Sequence, residues 1–167
     1  MGAFDDVLTA NADYAKHFQY GGKSGVAARG LAVVTCMDSR ISPLEMLGLE
    51  PGDAKILRNA GARITEEMLR NLVVATHLLG AKRIMVMGHT DCGMTKATDD
   101  DVHDRTAASG IDTRSLDIGT IRDQRATLER DVLRVRSSPY LPKDLVVAGC
   151  IYDVTTGLVE MVVPPAA

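Results

Sequence analysis

Residues 31–36 read Leu-Ala-Val-Val-Thr-Cys, with apolar side chains on consecutive positions rather than alternate ones. Extended backbone sends successive side chains to opposite faces, so a run that is apolar on both faces has to be covered on both. A parallel strand between layers of helix meets that condition. Arg83–Met87 and the longer stretch Leu145–Val154 repeat the pattern. Between such runs lie segments with helical spacing. That alternation predicts an α/β chain with a mainly parallel central sheet flanked by helices.

The remaining elements follow in order. Phe4, Val7, Leu8, Tyr14, Ala15 and Phe18 recur near helical spacing, which predicts an amphipathic helix over residues 3–18. That helix has either its own domain or a partner subunit to pack on. Gly21-Gly22-Lys23-Ser24-Gly25 breaks it off, so residues 1–25 read as an N-terminal arm and residues 26–163 as a single domain. Ser42-Pro43 opens a short helix, and Ala54–Leu57 reads as a second strand closed by Arg58-Asn59-Ala60-Gly61. Thr65 caps a helix running to Leu79, with Met68, Leu72, Val73, Ala75, Thr76 and Leu79 as its buried stripe and Gly80 ending it. From Thr95 to Gly119 the periodicity fails, and the acidic cluster Asp99, Asp100, Asp101 and Asp104 is read as part of a solvated, mobile surface loop. Its spacing does not match a calcium loop. Ile121, Leu128, Val132 and Val135 predict one exposed amphipathic helix over 118–135, stopped by Ser137-Ser138-Pro139. Thr155-Thr156-Gly157 turns the chain into a fifth, antiparallel edge strand, Leu158–Val162, and Pro164-Pro165 ends the order.

Two of the predicted strands end in chemistry. Cys36, Asp38 and Arg40 place a thiol, a carboxylate and a guanidinium within five residues, and extended backbone puts all three on one side. The strand from Arg83 ends in His89-Thr90-Asp91-Cys92. A lone buried Cys is usually a small hydrophobe, and a lone His-x-x-Cys occurs in many loops. Their coincidence at the ends of two similar strands carries the argument. Cys36, His89 and Cys92 make up two thiolates and one imidazole, the ligand set of a zinc site that leaves a fourth position open. In open parallel sheets, ligands sit at the carboxyl ends of strands where the strand order reverses, so the site is expected there if the two strands are neighbours. Cys150 reads as core. Asp91 reads as a turn residue between two ligands, and His17, His77 and His103 carry no specific signal.

Composition narrows the partners. The formal net charge is −3, with 19 basic and 22 acidic residues, which leaves no electrostatic footprint for nucleic acid or an anionic membrane. No apolar run approaches a membrane span. Met1-Gly2-Ala3-Phe4-Asp5-Asp6 offers neither a basic start nor an apolar signal core, and three Cys follow no disulfide pattern, so a cytoplasmic chain with reduced thiols is expected.

Cys36-Met37-Asp38-Ser39-Arg40, followed by His89-Thr90-Asp91-Cys92-Gly93, resembles the signature of the β-class carbonic anhydrases. Arg58-Asn59-Ala60-Gly61 and Asp153-Val154-Thr155-Thr156-Gly157 resemble that family too, and the likeness spans residues 30 to 160. The resemblance implies one Zn2+ per chain held by Cys36, His89 and Cys92, with an Asp38–Arg40 dyad orienting a zinc-bound hydroxide toward carbon dioxide to give bicarbonate. It also implies a homodimer, with N-terminal helices embracing the partner, and in some members a homotetramer. In the same family Asp38 is able to close the site as a fourth ligand. The compact branch that this chain resembles also contains carbonyl sulfide hydrolases, so hydrolysis of carbonyl sulfide on the same zinc is the alternative. A non-catalytic zinc or redox-sensing module, with Cys150 or Asp38 as a permanent fourth ligand, is the reading of a different class.

Overall fold

The structure is a computed structural model that describes residues 2–167; Met1, the first residue of the expected arm, lies outside the described residues. Five strands form one sheet: β1 (Leu31–Cys36), β2 (Ala54–Asn59), β3 (Arg83–His89), β4 (Val146–Tyr152) and β5 (Val159–Ala166). Their order is β2-β1-β3-β4-β5, parallel throughout except for the antiparallel pair β4–β5. The chain steps from β1 outward to β2, then crosses back over β1 to lay down β3. The reversal therefore falls between the carboxyl ends of β1 and β3, where Cys36 and His89 stand, as expected for a ligand site in such a sheet.

The two faces of the sheet are built differently. Ala32, Val34, Ile84, Val86, Val147 and Ile151 face helices α3 (Glu66–His77) and α5 (Gln124–Arg136), which contribute Met68, Leu72, Leu128, Val132 and Val135. Leu31, Val33, Met87 and Cys150 face the other way and are covered by Leu49 and the neighbourhood of the one-turn helix α2 (Pro43–Met46). The strict alternation along β1 explains why all six of its residues are buried. Helix α1 (Asp5–Lys16) buries none of its residues, and Phe4, Leu8 and Phe18 around it are 70%, 64% and 50% exposed.

Three expectations are corrected. Residues 95–119 are not a structureless loop, because α4 (Asp99–Ala107) forms inside them. Asp99, Asp100 and Asp101 occupy its first turn, where carboxylates complement the positive end of the helix dipole. Thr98 and Asp101 close a reciprocal capping box. His103 is correspondingly buried, with Nδ1 2.9 Å from Thr113 Oγ1, rather than exposed. Helix α5 begins later than expected, at Gln124, with Asp123 accepting from the Ala126 amide. It is not simply exposed, since Thr127, Leu128, Asp131, Val132 and Val135 are buried. Finally, β5 runs through Pro164-Pro165 to Ala166. An edge strand tolerates proline, because one side of its backbone has no ladder to satisfy.

Candidate metal centre

The end of β1 is shaped by its neighbour β2. Arg58 donates through Nε to the Cys36 carbonyl (2.8 Å), through Nη2 to Asp38 O (2.6 Å) and through Nη1 to Ile41 O (3.1 Å). One guanidinium thus gathers three carbonyls, and the chain curls after Cys36. Asp38 and Arg40 therefore sit in a turn, not in the extended segment that alternation implies. They still meet, and by a shorter route. Arg40 donates Nε to Asp38 Oδ1 (2.9 Å) and Nη2 to Oδ2 (2.8 Å), while its amide also donates to Oδ1 (2.9 Å). Paired N–H donors on a carboxylate fix its orientation as well as its charge.

Asn59 shapes the next segment. Its side chain accepts from the Arg63 amide (2.8 Å) and donates to the Arg63 carbonyl (2.7 Å), closing a tight turn over Ala60–Ala62. Gly61 lies at the centre of that turn with φ 77°, and a Cβ there would meet Ile121 Cδ1 at 2.9 Å. The positive φ favours glycine there, whereas the contact with the Ile121 methyl is relieved by a small shift of that side chain. The turn aims the Gly61 amide at Cys36 Sγ, 3.4 Å away. Arg63 is held in turn by the buried Asp131 of α5, Nε to Oδ2 at 2.8 Å.

Past β3, Asp91 adopts φ 57°, a backbone that Asp tolerates better than most side chains, and the chain doubles back to bring Cys92 beside His89. Cys36 Sγ and Cys92 Sγ stand 4.0 Å apart, and the donor atoms of Cys36, His89 and Cys92 all lie within 4.8 Å of one another. The three residues are 4%, 0% and 2% exposed. His89 Nδ1 is 2.8 Å from the Thr90 carbonyl, so it carries the proton and leaves Nε2 as a lone pair. That Nε2 is buried without a hydrogen-bond partner among the described residues. Two thiolates on a tetrahedral zinc stand about 3.8 Å apart. The sulfur spacing, the orphaned Nε2 and the soft donor set all fit such an ion. Cys150, weighed above as a fourth ligand, is not part of this donor group; it packs with Leu31, Val33 and Met87, with its sulfur against Met161.

Charge is distributed to match. Hydrogen bonding from the Cys92 thiol pulls the Cys36 thiol well below the usual thiol range against the effect of burial, helped by His89 and the Gly61 amide. Cys92 is pushed up, because it keeps the shared proton and is itself buried. Burial opposes a charge on His89, but Cys36, the Thr90 carbonyl and Asp38 outweigh it and raise its pKa. Asp38 is held well below the usual carboxylate range by the Arg40 guanidinium. Its Oδ2 lies 3.8 Å from His89 Nε2, at the edge of the donor trio. Arg40 also donates Nη1 to Asp91 Oδ2 (2.8 Å), and Lys96 pairs with the other Asp91 oxygen.

The positions that sequence reasoning singled out, Cys36, Asp38, Arg40, His89 and Cys92, are thus brought together. It missed Arg63, Asp131, Lys96 and Gln124, which act through tertiary contacts that leave no local pattern.

Comparison with known proteins agrees with this geometry. Residues 31–133 match the family model described as carbonic anhydrase. The chain is 34% identical over 168 residues to "Beta-carbonic anhydrase 1" of Mycobacterium tuberculosis, covering 98% of this chain and 100% of that protein. It is 31% identical over 152 residues to a carbon disulfide hydrolase of an Acidianus species, covering 77% and 74%. Among solved structures, a carbonic anhydrase from Streptococcus mutans superposes with a TM-score of 0.91 at 36% identity, over 97% of this chain and 98% of that one.

Proposed function

Because the chain belongs to the β-carbonic anhydrase family, we propose that it is a zinc-dependent lyase that catalyses the reversible hydration of carbon dioxide to bicarbonate. The observation that carries the reading is the buried trio Cys36, His89 and Cys92, with its orphaned Nε2, beside an Asp38 carboxylate already clamped by Arg40. Zinc held by that trio would supply Lewis acidity, making a water nucleophilic near neutral pH.

The chain's own groups do the rest. Two thiolates would bring two negative charges to a bound ion and would leave its water less acidic than an all-imidazole set does, so the residues that orient that water matter more. Asp38 Oδ2 accepts a hydrogen bond from it and turns a lone pair toward the substrate carbon. Arg40 keeps Asp38 ionised and fixed in direction. Asp91 holds the far side of Arg40, so the guanidinium stays in place as the site turns over. The proton released by hydration leaves to solvent across this charged rim. Carbon dioxide has three heavy atoms, so the site needs no large cavity.

A second reading keeps the site and changes the substrate to carbonyl sulfide, releasing hydrogen sulfide. The 31% identical carbon disulfide hydrolase supports it, but over a smaller share of both chains. Stopped-flow hydration and hydrogen sulfide release, measured side by side on protein of known zinc content, separate the two. The proposal expects hydration to dominate, and sulfide release without hydration would reverse it.

The same proposal extends to assembly and to the roles of the two segments. Residues 1–25 are an arm and residues 26–163 the zinc domain. The uncovered apolar side chains of α1 support a homodimer in which this arm packs on a second copy. Sedimentation of the full chain should give a dimer or a multiple of it, and deletion of residues 1–20 should shift it toward monomer.

A further inference from the structure

The carbonyl of His89 is the last acceptor on β3 and is buried at the end of the sheet, since the pairing of β1 with β3 stops at Thr35 and Met87. A buried carbonyl at a strand end needs a donor from elsewhere. Gln124, the first residue of α5, supplies it: Nε2 donates to His89 O at 2.6 Å. The backbone of β3 makes room for this approach at Gly88. A Cβ there would meet Gln124 Nε2 at 3.2 Å, yet Gly88 has an ordinary backbone that any residue adopts. Its lack of a side chain is therefore explained by the amide that passes over it, not by conformation.

We propose that Gln124 is a positioning residue for the metal centre, fixing the peptide that carries the His89 imidazole. Two hydrogen bonds on adjacent carbonyls then define the ring. Thr90 O receives Nδ1–H and sets the tautomer, while His89 O is pinned by Gln124 and sets the height of the ring in the pocket. Without Gln124, the strand end keeps its bonds to β4 through Thr90 but loses its pin on the β1 side, and a tilt about that remaining hinge moves Nε2 relative to the two sulfurs. The inference rests on the zinc reading above.

The test uses the full-length chain loaded with zinc or with cobalt(II), whose visible spectrum reports coordination geometry. Gln124→Met fills nearly the same volume and removes only the donor. Its zinc affinity, measured by competition with a chromophoric chelator, should fall about 10-fold or more, and its cobalt spectrum should shift. The metal-free circular dichroism should stay that of a folded chain, with melting lowered only by the loss of the one donor to the His89 carbonyl. Gly88→Ala keeps Gln124 but displaces its amide, and should weaken zinc in the same direction by less. The double variant should be no worse than Gln124→Met alone, because both changes remove one interaction. Parental affinity and an unchanged cobalt spectrum in Gln124→Met would overturn the proposal and leave the zinc reading intact. So would losses in the two single variants that simply add. If Gln124→Met does not fold, the spectrum and affinity of Gly88→Ala decide alone, and parental values there overturn the proposal. A parent chain that binds no zinc overturns the zinc reading and this inference with it.

Discussion

The donor trio and the charged rim beside it are neighbours with opposite construction. Cys36, His89 and Cys92 are almost wholly buried, and the Nε2 at their centre has no hydrogen-bond partner among the described residues. Asp38, Arg40, Asp91 and Lys96 are reached by solvent, with side-chain exposures of 17% and 45% for the first two, yet each is engaged by at least one ion pair. A buried polar atom without a partner is costly unless something else satisfies it. A partly exposed ion pair contributes little to stability, but its geometry orients a carboxylate well. On the proposed function, the first region holds an ion and the second directs what happens on it.

That division is open to attack at several points. The largest effect is expected at the trio. Cys36→Ala or His89→Ala should lose bound zinc and hydration together, with turnover down by roughly 10³-fold or more and zinc content falling in parallel by elemental analysis. Retained zinc with lost turnover in either variant would place the ion elsewhere. Next comes Asp38→Asn, which keeps the shape but gives up the carboxylate. It should retain one zinc per chain and lose about 10²-fold in kcat/KM by stopped-flow hydration. Undiminished turnover would remove Asp38 from the chemistry.

Asp91→Asn is expected to matter less. Arg40 keeps its bidentate hold on Asp38 when Asp91 is gone, so a loss of about 2- to 5-fold in kcat is expected, with zinc content unchanged. A loss as large as that of Asp38→Asn would show that the rim works as one unit centred on Arg40. The smallest effect lies farther out, at Asp99, whose carboxylate accepts from the Thr120 hydroxyl and from the Thr120 and Gly119 amides and is held down to about 2. A depressed carboxylate stabilises fully above its unfolded value near 3.8 and loses that contribution as pH falls through its folded value. The melting difference between the parent and Asp99→Asn should therefore be constant from pH 7 to about 5, shrink below 4 and vanish only below about 2. A difference that grows on acidification would contradict the assignment.

The residues that were legible in the sequence are those whose role is written in one strand. Consecutive apolar positions at Leu31–Val34 and Ile84–Met87 dictate strands covered on both faces, and the candidate ligands follow directly at their ends. Asp38 and Arg40 were legible as a pair but not as a geometry. The turn that joins them is imposed by Arg58 on β2, twenty residues away from Asp38. The run Asp99-Asp100-Asp101 reads as solvated charge until Thr98 is recognised as an N-cap, which turns the same carboxylates into a helix start. Gln124, Arg63 and Asp131 carried no signal, because a single hydrogen bond across the fold leaves no periodicity. Gly88 next to His89 was the one hint, a glycine in a strand with nothing about its own backbone to require it.

X-ray absorption at the zinc edge, on protein with one zinc per chain, tests the division most directly. The account predicts two sulfur scatterers at about 2.3 Å and one imidazole nitrogen at about 2.0 Å, with the remaining position filled by oxygen. A shell of four sulfurs, or one of nitrogen and oxygen alone, would contradict it.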